Sequence, residues 1–218
     1  MDALTLEQIL QAYRIGLFPM AKSRHDEDVF WIDPDERGIF QFESFHIPKS
    51  LHKAIKKQDF TIKFNSDFLQ TIDKCAEQHK SRPDTWINDE IKHIFLALHY
   101  EGLCHSVEFW QNNKMLGGLY GLAQAGVFFG ESMFSRTSNA SKICLVYLMS
   151  RLFRCGFRLV DAQFDNDHLK QFGLQTVTRD DFQLKLADAL VYEGSFDTKE
   201  TENLADIQSL LHFTTQTS

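Results

Sequence analysis

Apolar and polar positions along this 218-residue chain recur with two periods, and the changes of period mark out its elements. Leu6, Ile9, Leu10 and Tyr13 fall at helical spacing behind Thr5-x-x-Gln8, which has the form of a capping box, and Gly16 can close the helix. Phe18-Pro19 ends helical structure. A polar loop from Ala21 to Asp28 leads to Phe30-Trp31-Ile32-Asp33-Pro34, and residues 33–38 carry turn chemistry. A strand is expected at 38–42, a helix at 49–57 opened by Pro48, and a strand at 60–64. Ser66 or Asp67 then caps a helix running to about residue 77. Asn88 caps another, with Ile91, Ile94, Phe95 and Leu98 on one face and its close near Gly102. Alternating runs at 106–110, 115–123 and 127–134, separated by polar turns, predict an antiparallel meander. A helix at 139–155, a strand at 157–164, a short helix at 167–172 and an edge strand at 174–178 follow. An amphipathic helix beginning near Asp180 carries Phe182, Leu186 and Leu190.

This order predicts an α+β protein: a small N-terminal mixed lobe over 1–64, a domain over 65–192 with a mostly antiparallel central sheet flanked by helices, and an acidic C-terminal tail over 193–218. Strands first, then helix, strand, helix and strand, is the order of acetyltransferase-like (GNAT) folds, in which the acyl donor lies where the central strands diverge. That placement is an analogy, because one fold hosts many chemistries.

Composition changes the picture only at two points. At 43% hydrophobic and 24% charged residues the balance is that of an ordinary globular protein, but 20 Phe against 4 Pro leave much aromatic surface for a core or a pocket. The net charge of −7 argues mildly against a nucleic-acid partner. It is uneven, however: residues 193–218 carry −4, leaving −3 for the rest. Within that rest Lys49, Lys53, Lys56, Lys57 and Lys63 form a basic run, which on composition alone is a solvated helix face. No secretory signal is expected at residues 1–11, and no run approaches the roughly 20 apolar residues of a membrane span. Cys75, Cys104, Cys144 and Cys155 lack C-x-x-C or zinc spacing and read as buried thiols, so a soluble, cytoplasmic chain is expected.

The candidate chemistry begins with what is missing: no G-x-S-x-G elbow, P-loop, H-E-x-x-H or dinucleotide fingerprint. Gly117-Gly118 and Gly121 lack the spacing of a pyrophosphate loop, which disfavours coenzyme A. What remains is a set of polar groups inside apolar strands. Glu131 follows Val127-Phe128-Phe129-Gly130, and Asp161 and Gln163, two apart, are expected on one face of their strand. Burying a carboxylate and an amide there is unfavourable without partners or a task.

The runs G-E-S-M-F-S-R (130–136), N-A-S-K (139–142) and D-x-Q-x-x-N-D-H (161–168) closely resemble the leucyl/phenylalanyl-tRNA–protein transferase family. Gly16-Leu17-Phe18-Pro19, Trp31-x-Asp33-Pro34, Thr85-Trp86-Ile87, His105-Ser106-Val107-Glu108 and Gly117-Gly118-Leu119-Tyr120-Gly121 match in the family's order, so the resemblance spans about Leu6 to Phe182. It implies an acetyltransferase-like catalytic domain, no coenzyme A or other cofactor, no metal, and aminoacyl-tRNA carrying leucine or phenylalanine as donor; methionine also fits. It further implies an acceptor protein with N-terminal Arg or Lys, marked by the transfer for degradation. A monomer with no membrane partner is expected.

By the resemblance, Gln163 orients the attacking amine or the donor carbonyl, and Asp161 tunes it or is structurally bonded to nearby backbone. Glu131 faces the acceptor or the terminal adenosine, the alternative being an internal ion pair with Arg136. Leu119, Phe128 and Leu148 match the family's side-chain pocket, and each is otherwise an ordinary core residue. Trp86 matches a stacking position for the tRNA end. Met20 stands where a Trp is frequent, with Trp31 or Phe30 as compensating walls. Lys49, Lys53, Lys56 and Lys57 become candidate phosphate contacts. His105 and His168 are expected in structural hydrogen bonds. The chain opens almost directly on its first helix, so an abbreviated lobe with salt-sensitive tRNA affinity is expected. Two other readings stand beside this one: an acyltransferase of the same fold with a thioester donor, and a non-catalytic binder of charged tRNA.

Overall fold

The computed structural model describes residues 5–78, 83–196 and 203–216. Asp197, Lys199, Glu200 and Glu202, part of the expected acidic tail, lie outside the described residues.

The capping box forms as expected: Thr5 Oγ1 accepts from the Gln8 N–H at 3.2 Å, and the Thr5 N–H donates to Gln8 Oε1 at 2.9 Å. It opens α1 (Leu6–Arg14). A two-stranded antiparallel hairpin follows, β1 (Phe18–Met20) with β2 (Phe30–Ile32). Then come β3 (Glu36–Phe40), α2 (Lys49–Lys57), β4 (Thr61–Phe64), α3 (Phe68–Ala76) and α4 (Asp89–Tyr100). The caps of α3 and α4 are Asp67 and Asn88, whose side chains accept from Gln70 N–H and Ile91 N–H. The expected meander is β5 (Cys104–Gln111), β6 (Lys114–Gln124) and β7 (Val127–Ser135). After α5 (Ala140–Arg154) come β8 (Leu159–Asp161), α6 (Asp167–Lys170), β9 (Gln175–Thr178), α7 (Arg179–Ala189) and α8 (Leu204–Gln216).

Seven strands make one mixed sheet in the order β4-β5-β6-β7-β8-β3-β9. Among the described residues only the β7–β8 pairing is parallel, so the expectation of a mostly antiparallel sheet flanked by helices holds. Strand alternation divides the core between the two faces. Tyr120, Leu122, Val127, Phe129 and Leu159 pack toward α1, α3, α4 and α7. Leu119, Phe128 and Val160 pack toward α2, α5 and α8.

Three features differ from the sequence reading. Both β3 and β4 lie in the central sheet, so it takes strands from both sides of the expected boundary at residue 64. β3 inserts between β8 and β9, a long-range pairing that local patterning does not encode. The expected polar loop at 21–28 is present but joins two strands, β1 and β2, that the sequence reading does not assign, because strands of three residues are too short to show a period. The tail contains α8, which buries Ile207 and Leu210 in the cluster formed by α5. The glycines of β6 are packing devices: a Cβ on Gly117 would lie 2.5 Å from Ala140 Cβ, at the start of α5.

Candidate active site

Two local irregularities build the site. In the β6–β7 ladder Tyr120 pairs with Ser132 and Gly121 with Gly130, which leaves Glu131 as the extra residue of a bulge. A bulge breaks strict alternation and re-aims a side chain. The second irregularity ends β8. Its parallel pairing with β7 runs only to Phe129 opposite Asp161, after which β7 continues paired with β6 alone and the two strands part. Gln163 is not on the strand. It takes φ +66°, and its N–H donates to Asp161 Oδ1 at 2.8 Å. The expected two-residue alternation is therefore replaced by a local turn in which Asp161 holds the Gln163 backbone, and φ of this sign is uncommon outside glycine.

Asp161 is fully buried and doubly bonded by Arg37, with Nε to Oδ1 at 2.9 Å and Nη2 to Oδ2 at 2.6 Å. Arg37 Nη1 donates to the Gly16 carbonyl at 2.9 Å, and its guanidinium packs over the Phe18 and Phe182 rings. Both charges are thus paired and hydrogen-bonded, as burial requires. Glu131 Oε1 accepts from Tyr13 Oη at 2.7 Å and from Gln163 Nε2 at 3.1 Å, while Oε2 has no partner among the described residues. Burial pushes the Glu131 carboxyl up from 4.5 to about 8, against the lowering effect of its Tyr13 and Gln163 bonds. Burial, and then Glu131 beside it, hold the Tyr13 phenol well above its ordinary value. At pH 7 Glu131 is therefore mostly protonated.

Glu131, Asp161 and Gln163 line a cavity of about 280 Å³ in the cleft where β7 and β8 part. Leu119, Leu145, Leu148, Val160 and Leu169 form its apolar depth, and Met20, Trp86 and Phe164 also line it. The volume is at the small end for a small-molecule pocket, which typically runs about 300–1,000 Å³.

Of the residues singled out by sequence, the cavity brings together Glu131, Asp161, Gln163, Trp86, Leu119, Leu148 and Met20. Phe128 and Trp31 are not among the residues that line it. The Phe128 ring is taken up by packing: it abuts the position a Cβ on Gly121 would occupy and stacks 6.1 Å from Phe196. Trp31 pairs with Pro19 across the hairpin, whereas Met20 pairs with Phe30, so alternation sends Trp31 to the opposite side, into a separate groove along α1. The expected alternative of a Glu131–Arg136 ion pair is also overturned, since Arg136 pairs with Glu77. Lys49, Lys53, Lys56 and Lys57 are all exposed on α2 and do not line the cavity. His105 is buried, contacts Asn65 through Nδ1 at 2.9 Å and stacks on Phe196 at 3.9 Å. Burial pushes it down to about 3, which keeps it neutral.

Sequence reasoning misses Tyr13 and Arg37. Tyr13 falls in an apolar stripe, although a buried phenol needs a hydrogen-bond partner. Arg37 falls within turn chemistry, although it directly precedes Gly-Ile-Phe, and an arginine entering an apolar strand calls for a carboxylate.

Comparison with known proteins identifies the family. A family model for leucyl/phenylalanyl-tRNA protein transferase matches residues 39–187, and one for the N-terminal domain of that family matches residues 2–35. Relatives named leucyl/phenylalanyl-tRNA–protein transferase include one from Paramagnetospirillum magneticum, 48% identical over 92% of this chain and 96% of its own length. Another, from Rhodospirillum rubrum, is 44% identical over 96% of this chain and 98% of its own. Solved structures match remotely: L-PGS from Bacillus licheniformis is 11% identical with a TM-score of 0.39, over 76% of this chain and 55% of that one.

Proposed function

The chain belongs to the leucyl/phenylalanyl-tRNA–protein transferase family, and from that premise we propose which of its groups do what. It is an aminoacyltransferase that moves leucine or phenylalanine from aminoacyl-tRNA to the N-terminus of a protein. The observation that carries the site assignment is the joining of an apolar depth to a polar end within one cavity at the parting of β7 and β8.

In this reading the apolar depth, including Leu119 and Leu148, takes the leucine or phenylalanine side chain. The ester then lies at the polar end, beside Glu131 and Gln163. Because Gln163 Nε2 is engaged by Glu131, its Oε1 is left to accept an N–H of the acceptor amine. Asp161 is a positioning residue: gripped by Arg37, it fixes the left-handed turn that presents Gln163. Glu131, mostly neutral and tied to Tyr13, holds the Gln163 amide in register.

The reaction needs no covalent nucleophile. The neutral α-amine, with an ordinary pKa of about 7.7–8.0, attacks the ester carbonyl; the C–N bond forms, the C–O bond to the ribose breaks, and a proton passes from nitrogen to the departing ribose oxygen. Positioning supplies much of the rate. Donor placement in the cleft is that of an acetyltransferase-like arrangement. Trp86 and Met20 flank the terminal nucleoside, and Lys49, Lys53, Lys56 and Lys57 meet tRNA phosphates. The acceptor carries N-terminal Arg or Lys, and the enzyme works as a cytoplasmic monomer.

The test is incubation with radiolabelled leucyl-tRNA and a model protein beginning with Arg, alongside one beginning with Ala. RNase-resistant label on the Arg protein alone is expected. Label on neither would overturn the reading, and label on both would overturn the acceptor assignment. Gln163→Ala is expected to lower kcat about 10²-fold, the scale for removing one positioning or stabilising group at a reacting carbonyl; unchanged turnover would remove Gln163 from the mechanism.

A further inference from the structure

We infer that Phe164 is the aromatic wall on which the terminal nucleobase of the donor stacks, and that this chain uses it, with Trp86, where Met20 supplies no ring. This rests on the proposed reading of the cavity as the aminoacyl site.

At about 280 Å³ the cavity is at the small end for a pocket, so an amino-acid side chain among its aliphatic residues leaves the base to the exposed part of the lining. Beyond the aliphatic residues the lining holds Met20, Met133, Phe40, Tyr120, Trp86 and Phe164, and the rings of Phe40 and Tyr120 are fully buried. That leaves Trp86 and Phe164 with a π face open to a ligand. Met20 is a flexible thioether without one.

Phe164 is 44% exposed, whereas most of the Phe side chains described are buried or nearly so. A ring left in water at the edge of a cavity has apolar surface still to bury when a ligand arrives. It is also held in place beforehand. Its N–H donates to the Ala162 carbonyl at 2.8 Å, and Phe18 packs against the ring at 5.4 Å with the planes at 86°. The backbone is pressed against β3 so closely that a Cβ on Gly38 would sit 2.3 Å from the Phe164 carbonyl oxygen. The left-handed turn at Gln163 therefore sets two things at once: the amide at the reacting centre and the ring one residue later.

The other aromatic candidates near Met20 do not reach this position. Phe30 lies across the hairpin from Met20 but does not line the cavity, and Lys22 Nζ sits 4.5 Å from its ring centroid. Trp31 faces the groove along α1.

The experiment measures inhibition of transfer from leucyl-tRNA to a peptide beginning with Arg. The two inhibitors are 3′-leucylamino-3′-deoxyadenosine and the same leucine amide on abasic ribose. Wild-type enzyme is expected to bind the adenosine form about 5- to 150-fold more tightly, the range that about 1–3 kcal/mol of base stacking gives. Phe164→Leu should cut that ratio at least about fivefold by weakening the adenosine form alone, while Phe164→Tyr and Phe30→Leu keep it. A Phe164→Leu enzyme with the wild-type ratio would overturn the inference. So would equal weakening of both inhibitors, a ratio lost in Phe30→Leu instead, or wild-type enzyme that uses leucyl-tRNA yet does not distinguish the two compounds. Failure of wild-type enzyme to use leucyl-tRNA at all would overturn the proposed function instead.

Discussion

Glu131→Gln probes the bulge and its electrostatics in a single substitution. Glutamine can keep its Oε1 as the shared acceptor for Tyr13 Oη and Gln163 Nε2, and its new NH2 replaces the oxygen that has no partner among the described residues. What it removes is the titration. Burial raises the Glu131 carboxyl from 4.5 to about 8, so the folded protein holds a proton there that the unfolded chain has released. Stability from this group is full below pH 4.5 and is lost as pH rises through about 8. The slope in the window is about 1.4 kcal/mol per pH unit, which makes the loss about 3 kcal/mol between pH 5 and pH 7. Urea denaturation of both proteins across pH 4–9 reads this directly. His105, buried neutral, contributes in the opposite sense, gaining stability as pH rises from about 3 toward its ordinary 6.5, but it is common to both proteins and cancels in the difference. The wild-type stability minus that of Glu131→Gln should fall across the window and level off above pH 8. Parallel curves would refute the claim that this carboxyl is buried and mostly protonated.

Three further outcomes are expected. Arg37→Met strands a buried carboxylate and should reduce stability by about 3–5 kcal/mol in urea titration. Arg37→Met combined with Asp161→Leu should recover much of that stability but not the activity, since Gln163 then loses its backbone anchor. Leu148→Ala deepens the apolar end of the cavity, so the ratio of kcat/KM for phenylalanyl- over leucyl-tRNA should rise about tenfold; an unmoved ratio would place the side-chain pocket elsewhere. Replacing Lys49, Lys53, Lys56 and Lys57 with Gln should raise KM for leucyl-tRNA and flatten its salt dependence by up to about one unit of slope for each lysine that meets a phosphate, with kcat unchanged. A salt slope identical to wild type would remove α2 from the tRNA interface.

Much of this molecule is legible in its one-dimensional pattern, for a physical reason. Helix caps at Thr5, Asp67 and Asn88, the meander over β5 to β7 and the helix after it are set by interactions within a few residues, where propensity and periodicity act directly. Glu131, Asp161 and Gln163 stand out because polar groups inside apolar runs need an explanation, and the family runs around them name one. The family itself is thus readable from the chain alone.

What the sequence could not reveal depends on residues brought together from far apart. Arg37 meets Asp161 across 124 positions and Tyr13 meets Glu131 across 118, through partners that no local window contains. β3 enters the central sheet between β8 and β9 because its long-range ladders outweigh its place in the order of the chain. Periodicity assigns Asp161 and Gln163 to one strand face; tertiary structure instead ends the strand at Asp161 and turns Gln163 back through a left-handed residue. Patterning distinguishes core from surface, but whether a buried ring such as Phe128 fills the core or an exposed one such as Phe164 borders a cavity is decided by where the strands part, and only the folded chain sets that.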